Sequence, residues 1–190
     1  MAEDGSAPGG LPKVQEAALR QTDAGLVPEN GGWFIVNAAD IAWSRDEDLG
    51  TWCEFESPDS RNTQIGVGVH VLQPGQPNGR YHAEIGQEGF FVLCGECIAI
   101  VEGQERRMKQ WDYLHCPSGT THITIGAGDG LCAIFMLGAR NEGHDTHYAV
   151  EPLAAKYNAS VTEPTNEPRE AYADLSRKVT RVPAPWPPAD

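Results

Sequence analysis

The sequence predicts an all-β fold, a single barrel or sandwich of short strands, from three observations. Between Trp33 and about Leu137, short runs rich in β-branched and aromatic residues alternate with turn residues. The turns include Glu102-Gly103 and the glycine-rich run 126–130, which supply the positive backbone angles of tight antiparallel connections. The length of 190 residues is enough for one domain with a real core.

The predicted strands follow one another at short intervals. Each is bounded by glycine, proline or polar turn residues, as antiparallel strands usually are. In chain order they are Trp33 to Val36, Thr51 to Glu56, Gln64 to Leu72, Gly89 to Leu93, Cys97 to Glu102, Trp111 to His115, Thr121 to Ile125 and Leu131 to Leu137.

Composition divides the chain into three zones. Residues 1–32 form an arm in which Pro12 fits a first helical position and Val14 and Ala18 share one face, so we expect a short helix there. Residues 33–140 hold the predicted strands.

Residues 141–190 are more polar than the strand region. They contain two helix-like pieces, Pro152 to Tyr157 and Pro168 to Arg177, and end in a proline-rich run that cannot form a core alone. The C-terminal extension is therefore expected either to wrap the β domain or to be partly disordered.

Charge and cysteine content exclude several classes of partner. With 27 acidic and 14 basic residues the formal net charge is −13, which disfavours nucleic acid and anionic membranes. The sequence has no signal-like start and no run of roughly 18 apolar residues. Five scattered cysteines do not suggest a disulfide framework. We expect a cytoplasmic protein without a nucleic-acid or membrane partner.

Four metal-ligating side chains come from two stretches. His82 and Glu84 are two residues apart, so on a strand they point to the same face, and Gly86 permits a turn that returns Glu88 beside them. In the second stretch, Pro117-Ser118-Gly119 forms a turn that delivers His122 to the start of a new strand.

These two stretches resemble the two conserved motifs of the cupin superfamily. His82, Glu84, Glu88 and Gly95 match the first motif, His-x-His, three or four residues, Glu, six residues, Gly, except that Glu84 stands where the family usually has its second histidine. The second motif, Pro-x-Gly-x-x-His, is matched without a gap. The resemblance implies a double-stranded β-helix, or jelly roll.

The resemblance implies one divalent metal ion held by His82, Glu84, Glu88 and His122. Iron, manganese, zinc and nickel all remain open, because a carboxylate in place of an imidazole still suits each of them. If only three residues bind, the set approaches the two-His-one-carboxylate arrangement, and Glu84 could then act as a catalytic general base. The opposing reading is an empty barrel in which these side chains only hydrogen-bond to one another.

Two functions fit this site. The first is a divalent-metal-dependent enzyme, with a dioxygenase-type oxidoreductase as one form and an isomerase as another, acting on a small organic molecule. The alternative is a non-catalytic module that binds a small molecule or a metal. We also expect a homodimer, because cupin barrels commonly pair.

For the other polar residues near the motifs, a structural role explains the sequence at least as well as a functional role does. Tyr81 should point away from His82, while His70 faces either a pocket or solvent. His115 reads as a structural histidine, and Cys94 and Cys97 read as ordinary thiols, because no second cysteine pair accompanies them.

Overall fold

The computed structural model describes residues 12–140, 146–176 and 178–187. Fourteen strands dominate this part of the chain, and two short helices follow most of them. The strands are β1 Ala18–Thr22, β2 Gly25–Glu29, β3 Trp43–Asp46, β4 Gly50–Glu54, β5 Ile65–Leu72, β6 His82–Glu84, β7 Glu88–Cys94, β8 Glu96–Val101, β9 Gln104–Lys109, β10 Tyr113–Cys116, β11 His122–Ala127, β12 Cys132–Ala139, β13 Thr146–Tyr148 and β14 Thr180–Val182; the helices are α1 Pro152–Ala155 and α2 Pro168–Ala171.

Two antiparallel sheets carry the fold. One has the strand order β10-β7-β12-β5-β4-β3-β14, and the other has the order β13-β6-β11-β8-β9, while β1 and β2 form a separate hairpin. Strands that are neighbours in a sheet are often distant in the chain, as in a jelly roll. The predicted all-β jelly-roll architecture is confirmed. Among the described residues its two sheets face each other and are not joined into a closed barrel.

The main core lies between the sheets. It combines residues of the seven-stranded sheet, such as Phe90 and Ile134, with Cys97 and Ala99 of the five-stranded sheet. Side chains alternate along β8, so Ile98 belongs to a second cluster on the outer face of that sheet. A third cluster covers the outer face of the seven-stranded sheet. Both sheets are thus apolar on two faces over much of their area.

Seven of the eight predicted strands have counterparts in the structure, at slightly shifted bounds. The expected strand at 33–36 is wrong: Trp33 makes only an isolated bridge with Glu16. The turn at Glu102-Gly103 is confirmed, with φ of 49° and 68° at its two residues, and it connects β8 to β9. Both residues therefore have the positive φ that the tightest hairpins need.

The helix expected near residue 12 is wrong, because this segment leads into strand β1. Val14, one of the two apolar residues on which the helix was predicted, is 68% exposed, and so short a segment is not stable as a helix without tertiary packing. Pairing with β2 instead satisfies the backbone, and the turn between the two strands is closed by the Thr22 hydroxyl, which donates to the Gly25 carbonyl at 2.7 Å.

The C-terminal zone is built into the sheets. Both predicted helices are present in shorter form, as α1 and α2. Strand β13 pairs with β6, and β14 pairs with β3, so this zone adds a strand to one edge of each sheet. No helix in the described ranges is long and apolar enough to cross a membrane.

Candidate metal centre

The first motif occupies β6, a short turn and the start of β7. His82 and Glu84 are half-buried, while Ala83 between them is buried, as the alternation of a strand requires. The turn depends on Gly86, because a Cβ there would lie well inside contact distance of the Ala139 carbonyl oxygen. This close approach lets the chain reverse and bring Glu88 beside the two residues before it.

The second motif is tied directly to the first. Gly119 has a φ of 78°, and its N–H donates to the Glu84 carbonyl at 2.8 Å. Strand β11 then begins with His122, which is paired with His82 across the two strands. The two imidazole centroids are 4.9 Å apart, so the turn places the second motif's histidine against the first motif's histidine.

Backbone carbonyls fix the tautomer of both histidines. His82 Nδ1 lies 2.6 Å from the Arg80 carbonyl oxygen, and His122 Nδ1 lies 3.0 Å from the Thr120 carbonyl oxygen. A carbonyl oxygen only accepts, so each Nδ1 carries the proton and each Nε2 keeps a lone pair. Metal-binding histidines are commonly oriented in this way.

Ligand atoms of His82, Glu88 and His122 all lie within 4.8 Å of one another. Within this group, His122 Nε2 is 3.2 Å from Glu88 Oε2. Glu84 Oε1 stands 3.7 Å from His82 Nε2, outside the three-residue group, and its side chain is 38% exposed. The structure therefore brings three of the four expected ligands together and leaves Glu84 at their edge.

The electrostatics of the group suit a cation. Burial lowers the pKa of His82, and burial followed by the proximity of His82 lowers the pKa of His122 to about 4, so both rings are neutral at pH 7. Burial, followed by the negative charge of Glu84, raises the pKa of Glu88 to about 8. A divalent ion would favour the ionised form of Glu88 in place of a proton.

An unpaired atom tests whether a metal fits. His122 Nε2 is buried and has no hydrogen-bond partner within the described part of the chain. It and the ionised Glu88 carboxylate would be two acceptors facing each other at 3.2 Å, which is unfavourable without a proton or a cation between them. The donor set of two imidazoles and one carboxylate fits iron, manganese, zinc or nickel.

A cavity of about 200 Å³ adjoins the group. Its lining includes the three residues above together with His70, so of the two surroundings expected for His70 the structure shows the pocket. Gly66 and Gly68 precede His70 at alternate positions of β5 and also line the cavity. A Cβ on Gly68 would lie 2.5 Å from the Cys53 carbonyl oxygen, so the close approach of β4 requires glycine there. The alternation of glycines before His70 was a usable signal of this close packing.

Sequence reasoning missed Asn78 and Arg140, which also line the cavity. Arg140 is tied to Glu56 by two contacts, at 2.8 and 2.9 Å, so its charge is already matched. Asn78 accepts a hydrogen bond from the Thr124 N–H at 3.1 Å. Neither residue lies in a motif, so spacing alone gave no indication of either.

Sequence reasoning also missed Arg80, whose side chain is 2% exposed. It donates to the carbonyl oxygens of Ala171 at 3.0 Å and Asn158 at 2.5 Å, and it is paired with Asp174. Because the Arg80 carbonyl also orients His82, this residue joins the C-terminal zone to the metal centre.

The remaining polar residues lie outside the metal group, as expected for structural roles. Tyr81 is buried on the opposite side of β6, and its hydroxyl lies 2.7 Å from Thr121 Oγ1. His115 is exposed and outside the metal group. Cys94 and Cys97 are both free thiols.

Comparison with solved structures agrees with this architecture. A predicted oxalate decarboxylase from Thermotoga maritima is 19% identical, with a TM-score of 0.51, over 57% of this chain and 100% of that one. A candidate sugar phosphate isomerase from Acidithiobacillus ferrooxidans is 19% identical, with a TM-score of 0.40, over 44% of this chain and 54% of that one. A DMSP lyase from Ruegeria pomeroyi is 23% identical, with a TM-score of 0.39, over 45% and 43% of the two chains.

At 19% identity the likeness to the Thermotoga maritima protein concerns the fold alone. The chain spans about half the length of the latter two proteins, with 54% and 43% covered. No curated protein sequence is significantly similar to the chain. The family model described as "Cupin domain" matches residues 68–138, the stretch that contains both motifs and all four expected ligands. Residues 68–138 of this chain are therefore a cupin domain.

Proposed function

We propose that this cupin domain binds one divalent metal ion through His82, Glu88 and His122 and acts as a metal-dependent enzyme on a small organic molecule. The observation that carries the proposal is the convergence of two Nε2 lone pairs and one carboxylate beside a cavity. Three protein ligands leave coordination positions open, which is typical of catalytic sites and not of structural ones. When bound, the ion would supply Lewis-acid or oxygen-dependent chemistry.

The reaction class that this donor set favours is oxidation of the dioxygenase type. Two histidines and one carboxylate with open positions form the arrangement used by non-haem iron oxygenases. An isomerase remains the competing reaction, because the same fold supports many chemistries. The decarboxylase and lyase named among the solved structures do not choose between these reactions, since the likeness concerns the fold alone.

Glu84 is the proposed catalytic base. Its carboxylate lies 3.7 Å from His82 Nε2 and is 38% exposed, so it can reach the edge of the metal group while exchanging protons with water. In this role it would accept a proton from the substrate while His82, Glu88 and His122 hold the ion.

The same position of Glu84 favours a second function. If its carboxylate turned inward, four protein ligands would close the coordination shell, as in a structural site. The domain would then be a non-catalytic metal-binding or small-molecule-binding module. A Glu84→Gln variant separates the two: weaker metal binding supports the ligand role, whereas unchanged metal content with lost turnover supports the base role.

Elemental analysis by mass spectrometry of untagged protein tests the metal itself. We expect close to one equivalent of iron, manganese, zinc or nickel, lost in His82→Ala and His122→Ala. His115→Ala is the matched control, because His115 is exposed and outside the group. Absence of metal, with no uptake from any of the four ions, would reject the proposal.

Cellular location and assembly belong to the same proposal. A cytoplasmic location is supported by the free thiols, since all five cysteines are unpaired in the structure. A homodimer is supported by the exposed aromatic residues Trp111 and Tyr113, which are 66% and 53% exposed. Sedimentation analysis checks the dimer, and a monomer at all concentrations would exclude it.

A further inference from the structure

His70 is a polar residue of the cavity that the proposed metal chemistry does not use. Its Nδ1 is buried and has no hydrogen-bond partner among the described residues. The ring lies against Trp52, with centroids 5.8 Å apart and an angle of 21° between the planes. Leaving a buried ring nitrogen unpaired is costly, so a group that hydrogen-bonds to it is expected when the cavity is filled.

Strand register places His70 and the metal centre at opposite ends of the cavity. Glu88 on β7 is paired with Gly138 on β12, which in turn is paired with Gly66 on β5, so Glu88 and Gly66 lie at the same level of the sheet. His70 lies further along β5, where it is paired with Ile134. Gly66 and His70 are four residues apart on β5, which corresponds to roughly 13 Å. A ligand that reaches both ends must therefore be elongated.

The space between the two ends is narrow, and no unpaired cation lines it in the described part of the chain. The volume of about 200 Å³ is below the roughly 300–1,000 Å³ of pockets that take drug-sized ligands, so only a small molecule fits. Arg140 is already matched by Glu56, and burial lowers the pKa of His70 to about 4, which keeps the ring neutral. His70 can thus hydrogen-bond an uncharged group but cannot balance a negative one.

The metal end has the opposite preference. A divalent ion with two neutral imidazoles and the Glu88 carboxylate retains one positive charge, which favours an anionic chelating group. One end of the ligand is then acidic and the other is an uncharged hydrogen-bonding group.

We infer that the cavity binds a small hydroxylated organic acid, with its acid end on the metal and a distal hydroxyl group on His70. His70 is a specificity-determining residue in this scheme and takes no part in holding the metal. The inference rests on the proposed function, because it needs the ion at His82, Glu88 and His122.

Two probes of equal chain length test it by calorimetry on Mn²⁺-loaded protein. Gluconate and 2-hydroxyhexanoate share the 2-hydroxy acid that chelates a metal and have a six-carbon chain long enough to extend along the cavity, but only gluconate has distal hydroxyl groups. We expect the wild-type protein to bind gluconate about tenfold more tightly, as one added hydrogen bond gives. A ratio near one, or binding of neither probe at millimolar concentration, would overturn the inference.

Variants assign the effect to His70. His70→Phe keeps a flat ring against Trp52 and should reduce the ratio to near one without loss of Mn²⁺ or of thermal stability. His70→Asn, which keeps a hydrogen-bonding group near Nδ1, should retain part of the ratio, and His115→Phe should retain all of it. A ratio preserved in His70→Phe would refute the role of His70.

Metal content distinguishes the two levels of failure. Wild-type protein that takes up no Mn²⁺ would refute the proposed metal site and the inference together. Protein that takes up one equivalent but does not discriminate between the probes would refute the inference alone.

Discussion

Replacing Arg80 by methionine should destabilise the protein far more than the loss of a surface ion pair. The Arg80 side chain is 2% exposed and donates to two carbonyl oxygens of the C-terminal zone, those of Asn158 and Ala171. Methionine would fill the space but would leave those carbonyls without their donor. Leaving a buried acceptor without its donor costs about 1–3 kcal/mol for each group, so the loss of both hydrogen bonds is a large share of the roughly 5–15 kcal/mol of a typical domain.

Two further variants isolate the source of that cost. Asp174 is 61% exposed, so Asp174→Asn should cost no more than about 1 kcal/mol. Arg107 forms an exposed pair with Glu96 at 3.2 Å, and Arg107→Met is the matched control, again within about 1 kcal/mol.

The assay is urea unfolding followed by fluorescence, with the free energy of unfolding extrapolated to water for each variant. Hydrogen exchange in residues 146–176 adds a local readout, since these residues should exchange faster in Arg80→Met than in Arg107→Met. Equal losses of stability in Arg80→Met and Arg107→Met would refute the reasoning, because the buried hydrogen bonds of Arg80 would then contribute no more to stability than an exposed ion pair.

Two other predictions concern the metal centre and its turn. Because the pKa of Glu88 is raised to about 8, a proton competes with the metal below that pH. Apparent metal affinity, measured by titration calorimetry, should rise as the pH increases toward 8 and then level off. The dependence on pH should be weaker in Glu88→Gln. A metal affinity that does not change between pH 6 and pH 8, the roughly two units just below the raised pKa, would contradict this prediction. Gly86→Ala should lower the free energy of unfolding by about 1–3 kcal/mol, because the added methyl group meets the Ala139 carbonyl oxygen. Gly130→Ala is the control: its methyl group would lie in open space, so the free energy measured by urea unfolding should hardly change.

The metal motifs could be predicted from the sequence because their geometry is local. Residues two apart on a strand share a face, which placed His82 and Glu84 together, and the Pro-x-Gly turn placed His122. That rule does not fix how far each side chain reaches, so it could not separate Glu84 from the three residues whose ligand atoms converge.

Features that depend on pairing or packing with another segment were not predictable. Arg80 looks like a surface residue in the sequence, and only the packing of the C-terminal zone buries it. The N-terminal segment had a weak helical pattern, but hairpin pairing with β2 decided its structure. The strand β9, rich in charged residues, was missed because its hairpin partner β8 supplies the apolar face.

The hydrogen bond from the Gly119 N–H to the Glu84 carbonyl has a consequence for folding kinetics. It joins segments far apart in the chain, and the histidines that it aligns come from β6 and β11. Contacts of such long sequence separation form late, after the entropy of closing the intervening loop has been lost. We therefore expect a metal ion to slow unfolding while leaving the refolding rate almost unchanged, because interactions that form late stabilise the native state more than the transition state.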